Sequence, residues 1–176
     1  MSRQRAAAGS LFNWCGAIST QLRPERCSRN ATGKPPDLFR FNYILLCDDI
    51  RREDNGKEIL IGVYNDEMIV RTAPAALTSL HFRVSFYPKK TSPRDFSFSV
   101  IAPNGLSIVQ AEGQLSAELN YDVQSVVNIA SKPLLLPEHG AYSMRFGLGK
   151  KENEVDVGRF MVRKPANDEE NNRLPK

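Results

Sequence analysis

From Phe39 onward, apolar residues recur at every second position in short runs that are separated by turn residues. The segment Leu80–Tyr87 alternates most regularly, and Phe96–Val100 repeats the pattern. Alternation with a period of two is typical of strands that have one buried face. No amphipathic helix of ten or more residues follows Pro36. Eight or nine such strands, with turn signals every 8–12 residues, predict an all-β fold: an antiparallel β-sandwich, immunoglobulin-like or C2-like.

The dipeptide Asn55-Gly56 is the strongest local turn signal. Asn-Gly favours a two-residue type I′ hairpin, in which both central residues need positive φ. We therefore predict a tight hairpin that joins Tyr43–Asp54 to Lys57–Tyr64.

The last third of the chain carries a second recognisable pattern. An apolar run, Leu134–Leu136, is followed by a Pro137/Gly140 corner and then by Tyr142, which opens a strand. This order is similar to the tyrosine corner of immunoglobulin-like sandwiches.

Charge and composition divide the 176 residues into three parts. Residues 1–36 hold six basic and one acidic side chain, residues 37–165 have zero net charge, and residues 166–176 have a net charge of −1. We predict a disordered or weakly helical basic leader, a sandwich domain over 37–165 and a disordered polar tail. The leader could also be a targeting segment, a partner-binding helix or an overlong start assignment. Because the folded part is neutral, the basic pI does not indicate a nucleic-acid partner.

Three cysteines and two distant histidines, His81 and His139, make a disulfide framework or a zinc site unexpected. No apolar run approaches the roughly 18 residues that a membrane-spanning helix requires. We therefore expect a soluble, cytoplasmic protein with no membrane association and no cofactor.

The segment Cys47–Asp54 is the main candidate for chemistry, and Asp48, Asp49 and Arg51 are its structural or interaction candidates. Structural ion pairing, an interaction surface, and a metal or catalytic site all remain open for these residues. Elsewhere the chain contains no phosphate-binding glycine loop and no nucleophile elbow. No catalytic, metal or cofactor-binding residue is assigned.

The predicted turn also fixes which way the two aspartates point. If Asp54 faces Lys57, Asp48 shares the apolar face of the hairpin with Ile61 and Val63. Asp48 should then be buried and hydrogen-bonded, whereas Asp49 should point outward beside Arg51.

The segments Cys47–Arg51, Asn55–Lys57 and Leu60–Tyr64 resemble the opening signature of a family of uncharacterised bacterial proteins, a domain of unknown function. The resemblance covers about Phe39 to Arg163. It implies a β-sandwich and a bacterial or phage origin, and it implies no activity.

For function, the sequence favours a non-enzymatic binding or assembly module whose partner is unknown and could be a protein. Two other hypotheses stay open. One is a hydrolase-like enzyme with a site assembled around Asp48, Asp49 and a histidine. The other is a structural subunit of a homo-oligomer.

Overall fold

The computed structural model describes residues 37–89, 93–115 and 123–173. The predictions for the leader fall on residues 1–36, which lie outside the described residues. The strands are β1 (Phe39–Arg52), β2 (Glu58–Tyr64), β3 (Glu67–Ile69), β4 (Ala75–Leu77), β5 (Leu80–Pro88), β6 (Asp95–Ile101), β7 (Ser107–Gln114), β8 (Ser125–Ser131), β9 (Leu134–Leu136), β10 (Gly140–Leu148) and β11 (Val155–Arg163). A 3₁₀ turn, Lys151–Asn153, precedes β11, and a short helix, α1 (Asp168–Arg173), follows it.

The strands form two main sheets. The four-stranded sheet has the order β2-β1-β5-β8, the five-stranded sheet has the order β3-β11-β10-β6-β7, and β4 pairs with β9. The predicted all-β sandwich is confirmed. Eleven strands are described instead of eight or nine, because the three-residue strands β3, β4 and β9 are too short to show alternation. The pairing of β3 with β11 is parallel, which the prediction of an antiparallel fold did not include.

Aromatic side chains from both sheets build the core. The rings of Phe82 (β5) and Phe98 (β6) have centroids 5.1 Å apart, and those of Phe86 (β5) and Phe146 (β10) lie at 5.0 Å. The predicted inward face of β5 is confirmed, because its alternate residues are fully buried. Burial of one such side chain contributes about 1.5–3 kcal/mol. The two sheets are therefore held together by the apolar side chains that recur at every second position of the sequence.

Tyr142 forms the predicted tyrosine corner. Its ring is buried, and its hydroxyl donates to the carbonyl oxygen of Glu138, four residues earlier, at 2.6 Å. Burial raises the pKa of this phenol, so the group remains a hydrogen-bond donor at neutral pH.

The β1–β2 hairpin exists where it was predicted, but its turn is one residue longer. Glu53 faces Lys57: the Glu53 N–H donates to the Lys57 carbonyl at 2.9 Å, and the Gly56 N–H donates to the Glu53 carbonyl at 2.9 Å. Gly56 has φ +84°, as in a type I turn followed by a left-handed residue. The predicted two-residue turn is wrong, and the register of β2 against β1 is shifted by one residue.

The C-terminal segment was predicted to be a disordered tail, but part of it forms α1. Glu170 of α1 accepts two hydrogen bonds from the Arg163 guanidinium, at 2.9 and 3.0 Å. Asn171 accepts from Arg71 at 2.9 Å. Within the described residues, no helix has the length and apolar character needed to cross a membrane.

Candidate functional site

A row of exposed apolar side chains lies on β2. Ile59, Ile61 and Val63 are 45%, 37% and 45% exposed and share one face of the strand. The register shift explains their exposure, because Ile59 faces Arg51 and Ile61 faces Asp49 on the outward side of β1. A one-residue slip moves every side chain of a strand to the other face. The apolar row that was predicted to meet the core therefore meets solvent instead.

The backbone of β2 is also open along one edge. β2 is the terminal strand of its sheet, and in the described part of the chain no strand pairs with its second edge. Exposed edges of this kind are usually protected by lysine, proline or bulges. Glu58–Tyr64 contains neither lysine nor proline, and Gly62, at φ +65°, is its departure from extended geometry. β2 thus combines free backbone donors and acceptors with an apolar face.

The edge strand β7 of the other sheet shows the contrast. Its exposed side chains are Gln110, Glu112 and Gln114, all of them polar. Polar edges discourage strand addition, whereas β-branched apolar edges favour it. The two edges therefore differ in the partners they can accept.

The hairpin bends over the outer face of its own sheet. Glu58 forms an ion pair with Arg83 on β5, and its other carboxylate oxygen accepts from Asn128 on β8 at 2.8 Å. In a flat sheet Glu58 could not reach Arg83. Arg52, which faces Glu58, lies seven residues along β1 from Leu45, which faces Arg83, or roughly 23 Å of extended chain.

Gly62 supplies the conformation for this bend. A Cβ atom at Gly62 would lie 2.0 Å from the Oδ2 atom of Asp48, so no larger residue fits without moving Asp48. The bend brings Glu58, at the start of β2, against β5 and β8.

The structure separates the two predicted aspartates. Asp48 is exposed, and its Oδ1 atom accepts a hydrogen bond from the Tyr64 hydroxyl at 2.6 Å. The prediction that Asp48 is buried is wrong, because β1 pairs with β5 only as far as Cys47 and runs beyond the sheet from there. Asp49 points outward, as predicted, and accepts from the Arg51 Nε atom at 3.1 Å. This bond lowers the pKa of Asp49 below its usual range.

Asp49 also approaches two other groups that could carry chemistry. Its Oδ1 atom lies 3.7 Å from the His81 Nε2 atom, and His81 faces Cys47 across the β1–β5 pair. Cys47 is fully buried, and this burial, followed by the negative charges of Asp48 and Asp49, raises the pKa of its thiol. Burial, with a smaller effect of Lys132, lowers the pKa of His81. Both effects disfavour the thiolate–imidazolium pair that a cysteine nucleophile requires.

The sequence raised a site of Asp48, Asp49 and a histidine, but it did not identify His81 or Cys47 as neighbours of Asp49, because these residues meet only through strand pairing. Within the described ranges, no group of three or more His, Cys, Asp or Glu side chains is placed to hold a metal ion. The only signal in the sequence is that His81 lies between Leu80 and Phe82 on an alternating strand, which places it on the face opposite to these apolar residues.

A surface cavity of about 510 Å³ lies on the other sheet, and neither Asp48 nor Asp49 lines it. Its charged lining consists of two carboxylates, Asp95 and Glu112, and two ammonium groups, Lys150 and Lys151. Because the charges are mixed and the cavity is shallow, it has no converging set of groups for one ligand chemistry.

The fold and the free edge together define an all-β sandwich with an open strand. The sequence profile described as "Family of unknown function (DUF6941)" matches residues 42–155, and the chain belongs to this family. The match supports the resemblance to an uncharacterised family that the sequence suggested. It includes β1 from Asn42 onward, the turn and all of β2. No curated protein matches the chain.

Proposed function

We propose that the protein is a non-enzymatic binding module that takes up an extended protein segment at the free edge of β2. The observation that carries this proposal is the exposed row Ile59, Ile61 and Val63 on an unpaired strand. In strand addition, the backbone edge supplies hydrogen bonds and alternate side chains supply specificity. β2 offers both along the same seven residues.

The chemistry of the neighbouring groups supports binding over catalysis. Asp48 and Asp49 lie on opposite faces of β1, so they do not form an acid–base pair. The Cys47 thiol has no exposed surface through which a substrate could reach it. A hydrolase-like site would need these groups to converge on an accessible cavity.

The partner class follows from charge. Residues 37–165 carry equal numbers of acidic and basic side chains, so their net charge does not favour nucleic-acid binding. The proposal therefore names a protein strand as the partner. The free Cys47 thiol and the resemblance to a bacterial family support a cytoplasmic bacterial setting.

Selection of displayed extended peptides against the full chain tests this proposal. We expect the selected peptides to bind the wild type, and to bind Ile61→Lys at least tenfold more weakly, because a charge in the apolar row must be desolvated. Leu135→Lys is the matched control, since Leu135 is also exposed (57%) but lies on β9.

Hydrogen exchange adds a second readout. Peptide binding should protect backbone amides of β2 on the edge that is free in the isolated protein. Peptides whose binding ignores Ile61→Lys, or that protect other strands, would contradict the proposal.

A further inference from the structure

We infer that the strand taken up by β2 is the β2 strand of a second copy of this chain, paired antiparallel about a two-fold axis at Ile61. This inference rests on the proposed function, because it uses the same free edge. It names the partner.

The spacing of the apolar row supports self-pairing. Ile59 and Val63 lie two residues to either side of Ile61 on the same exposed face. In an antiparallel pair centred on Ile61, each Ile59 faces Val63 of the second copy, and Ile61 faces its own counterpart. All six side chains then contact an apolar neighbour across the new interface. An isologous interface of this kind requires a self-complementary patch, and the row has that property.

The charges at the two ends of β2 favour the antiparallel direction. Lys57 precedes the strand and Asp66 follows it, and both residues are exposed. An antiparallel pair brings Lys57 of one copy near Asp66 of the other, at both ends of the interface. A parallel pair would instead place Lys57 beside Lys57. Opposite charges across strands are favourable, and like charges are unfavourable.

The expected dimer is weak. One pair of edge strands buries less surface than the roughly 800 Å² per partner of a standard interface. We therefore expect a dissociation constant on the order of micromolar or weaker. Two four-stranded sheets would join into one sheet of eight strands, which is within the usual range of sheet sizes.

Sedimentation of the full chain over a concentration series tests the association. The wild type should show a monomer–dimer equilibrium, and Ile61→Lys should weaken it at least tenfold. Leu135→Lys should leave it unchanged. Circular dichroism and thermal unfolding of each variant show that the fold is retained. A monomeric wild type at all concentrations, or an Ile61→Lys variant that associates normally, would overturn the inference.

Cysteine cross-linking tests the register. In a Cys15→Ser, Cys27→Ser background, Ile61→Cys should form a disulfide-linked dimer under mild oxidation, because residue 61 meets its own counterpart. Ile59→Cys alone should not, since its counterpart lies four residues away, but a mixture of Ile59→Cys and Val63→Cys should cross-link. Equal cross-linking of all single variants would overturn the two-fold register.

The outcomes also separate this inference from the proposed function. If the chain is monomeric and still binds peptides in an Ile61-dependent way, self-pairing is wrong and strand addition stands. If the chain is monomeric and Ile61→Lys makes residues 1–36 more sensitive to protease, the leader occupies the edge and the inference is overturned. Failure of both peptide binding and self-association would remove the proposed function as well.

Discussion

The β1–β2 hairpin and the β10–β11 hairpin each carry a glutamate near the turn that reaches back to a neighbouring strand. Glu58 contacts Arg83 and Asn128, and Glu154 accepts a hydrogen bond from the Ser99 hydroxyl at 2.7 Å. The surroundings of the two hairpins differ. β10 and β11 are central strands with neighbours on both sides, whereas β2 ends its sheet.

This difference shows what fixes the exposure of a hairpin. Both hairpins contain β-branched and aromatic residues and both fold their turns back over a sheet face. In β10–β11, the strands on either side cover the backbone, and the opposing sheet covers the side chains. In β1–β2, β1 runs past the end of β5 after Cys47, and within the described residues no strand pairs with the second edge of β2, so Ile59, Ile61 and Val63 remain exposed. The position of a hairpin in its sheet therefore decides whether its strands are buried or exposed.

The largest expected effect is in the central hairpin. Phe146→Ala should lower the free energy of unfolding by about 3–5 kcal/mol, because the ring is fully buried against Phe39, Phe86 and Phe96. Ile61→Ala, in the edge hairpin, should cost below about 1 kcal/mol. Urea denaturation of both variants measures the contrast. Equal losses would show that β2 is covered in solution.

The next largest effect is the difference in stability that the two glutamates contribute. Glu58→Ala should cost about 2–4 kcal/mol, because it leaves the largely buried Arg83 guanidinium without its ion-pair partner. Glu154→Ala removes a hydrogen bond from a neutral hydroxyl, and should cost about 1–2 kcal/mol. The same denaturation assay applies. A larger loss for Glu154→Ala would reverse the assignment of which hairpin is held by charge.

The glycines beside the two turns give a smaller effect. A Cβ atom at Gly147 would lie 2.8 Å from the Glu154 backbone nitrogen, so Gly147→Ala must displace the 3₁₀ turn. We expect a cost of about 1–3 kcal/mol. At Gly56 a Cβ atom meets nothing within 4 Å, and only the positive φ opposes Gly56→Ala, at about 1 kcal/mol. Similar costs at both positions would indicate that the 3₁₀ turn moves easily.

The smallest effect is a pH dependence that arises from His81, which lies on β5 and faces Cys47 of the edge hairpin. Because the pKa of His81 is lowered in the folded state, the unfolded chain binds the proton more tightly. The stability that neutral His81 contributes is therefore complete above about pH 6.5 and is lost as pH falls through the folded pKa. The free energy of unfolding, measured from pH 7.5 to 5, should fall less steeply in His81→Gln than in wild type. His139→Gln is the matched histidine control, and identical slopes in wild type and His81→Gln would contradict the expectation.

The sequence predicted those features of the fold that depend on the local pattern of residues. The alternation of β5 identified the core face, and Tyr142 was recognised from its position after a corner. The β1–β2 turn was placed correctly, but its length was not, because Asn55-Gly56 fits both a two-residue and a three-residue turn. That single residue inverted the predicted face of Ile61.

The prediction that Asp48 is buried was wrong for another reason. Alternation tells which face a residue occupies and does not tell how far the covering layer extends. The neighbourhood of Asp49, His81 and Cys47 likewise depends on strand pairing between distant segments. Such contacts carry no signal in the spacing of residues along the chain.

The parallel pairing of β3 with β11 has a consequence for synthesis. Glu67 of β3 pairs with Met161 of β11, and the Arg163 Nε atom donates to the Glu67 carboxylate at 2.9 Å, so β3 cannot join its sheet until β11, the last strand, has been made. The β1–β2 hairpin, whose contacts are local, can form soon after it leaves the ribosome. Until β11 has been made, the five-stranded sheet lacks one of its strands, while the nascent chain already carries the exposed apolar row of β2. Neighbouring nascent chains on one polysome would then be the first other copies of this chain that β2 encounters.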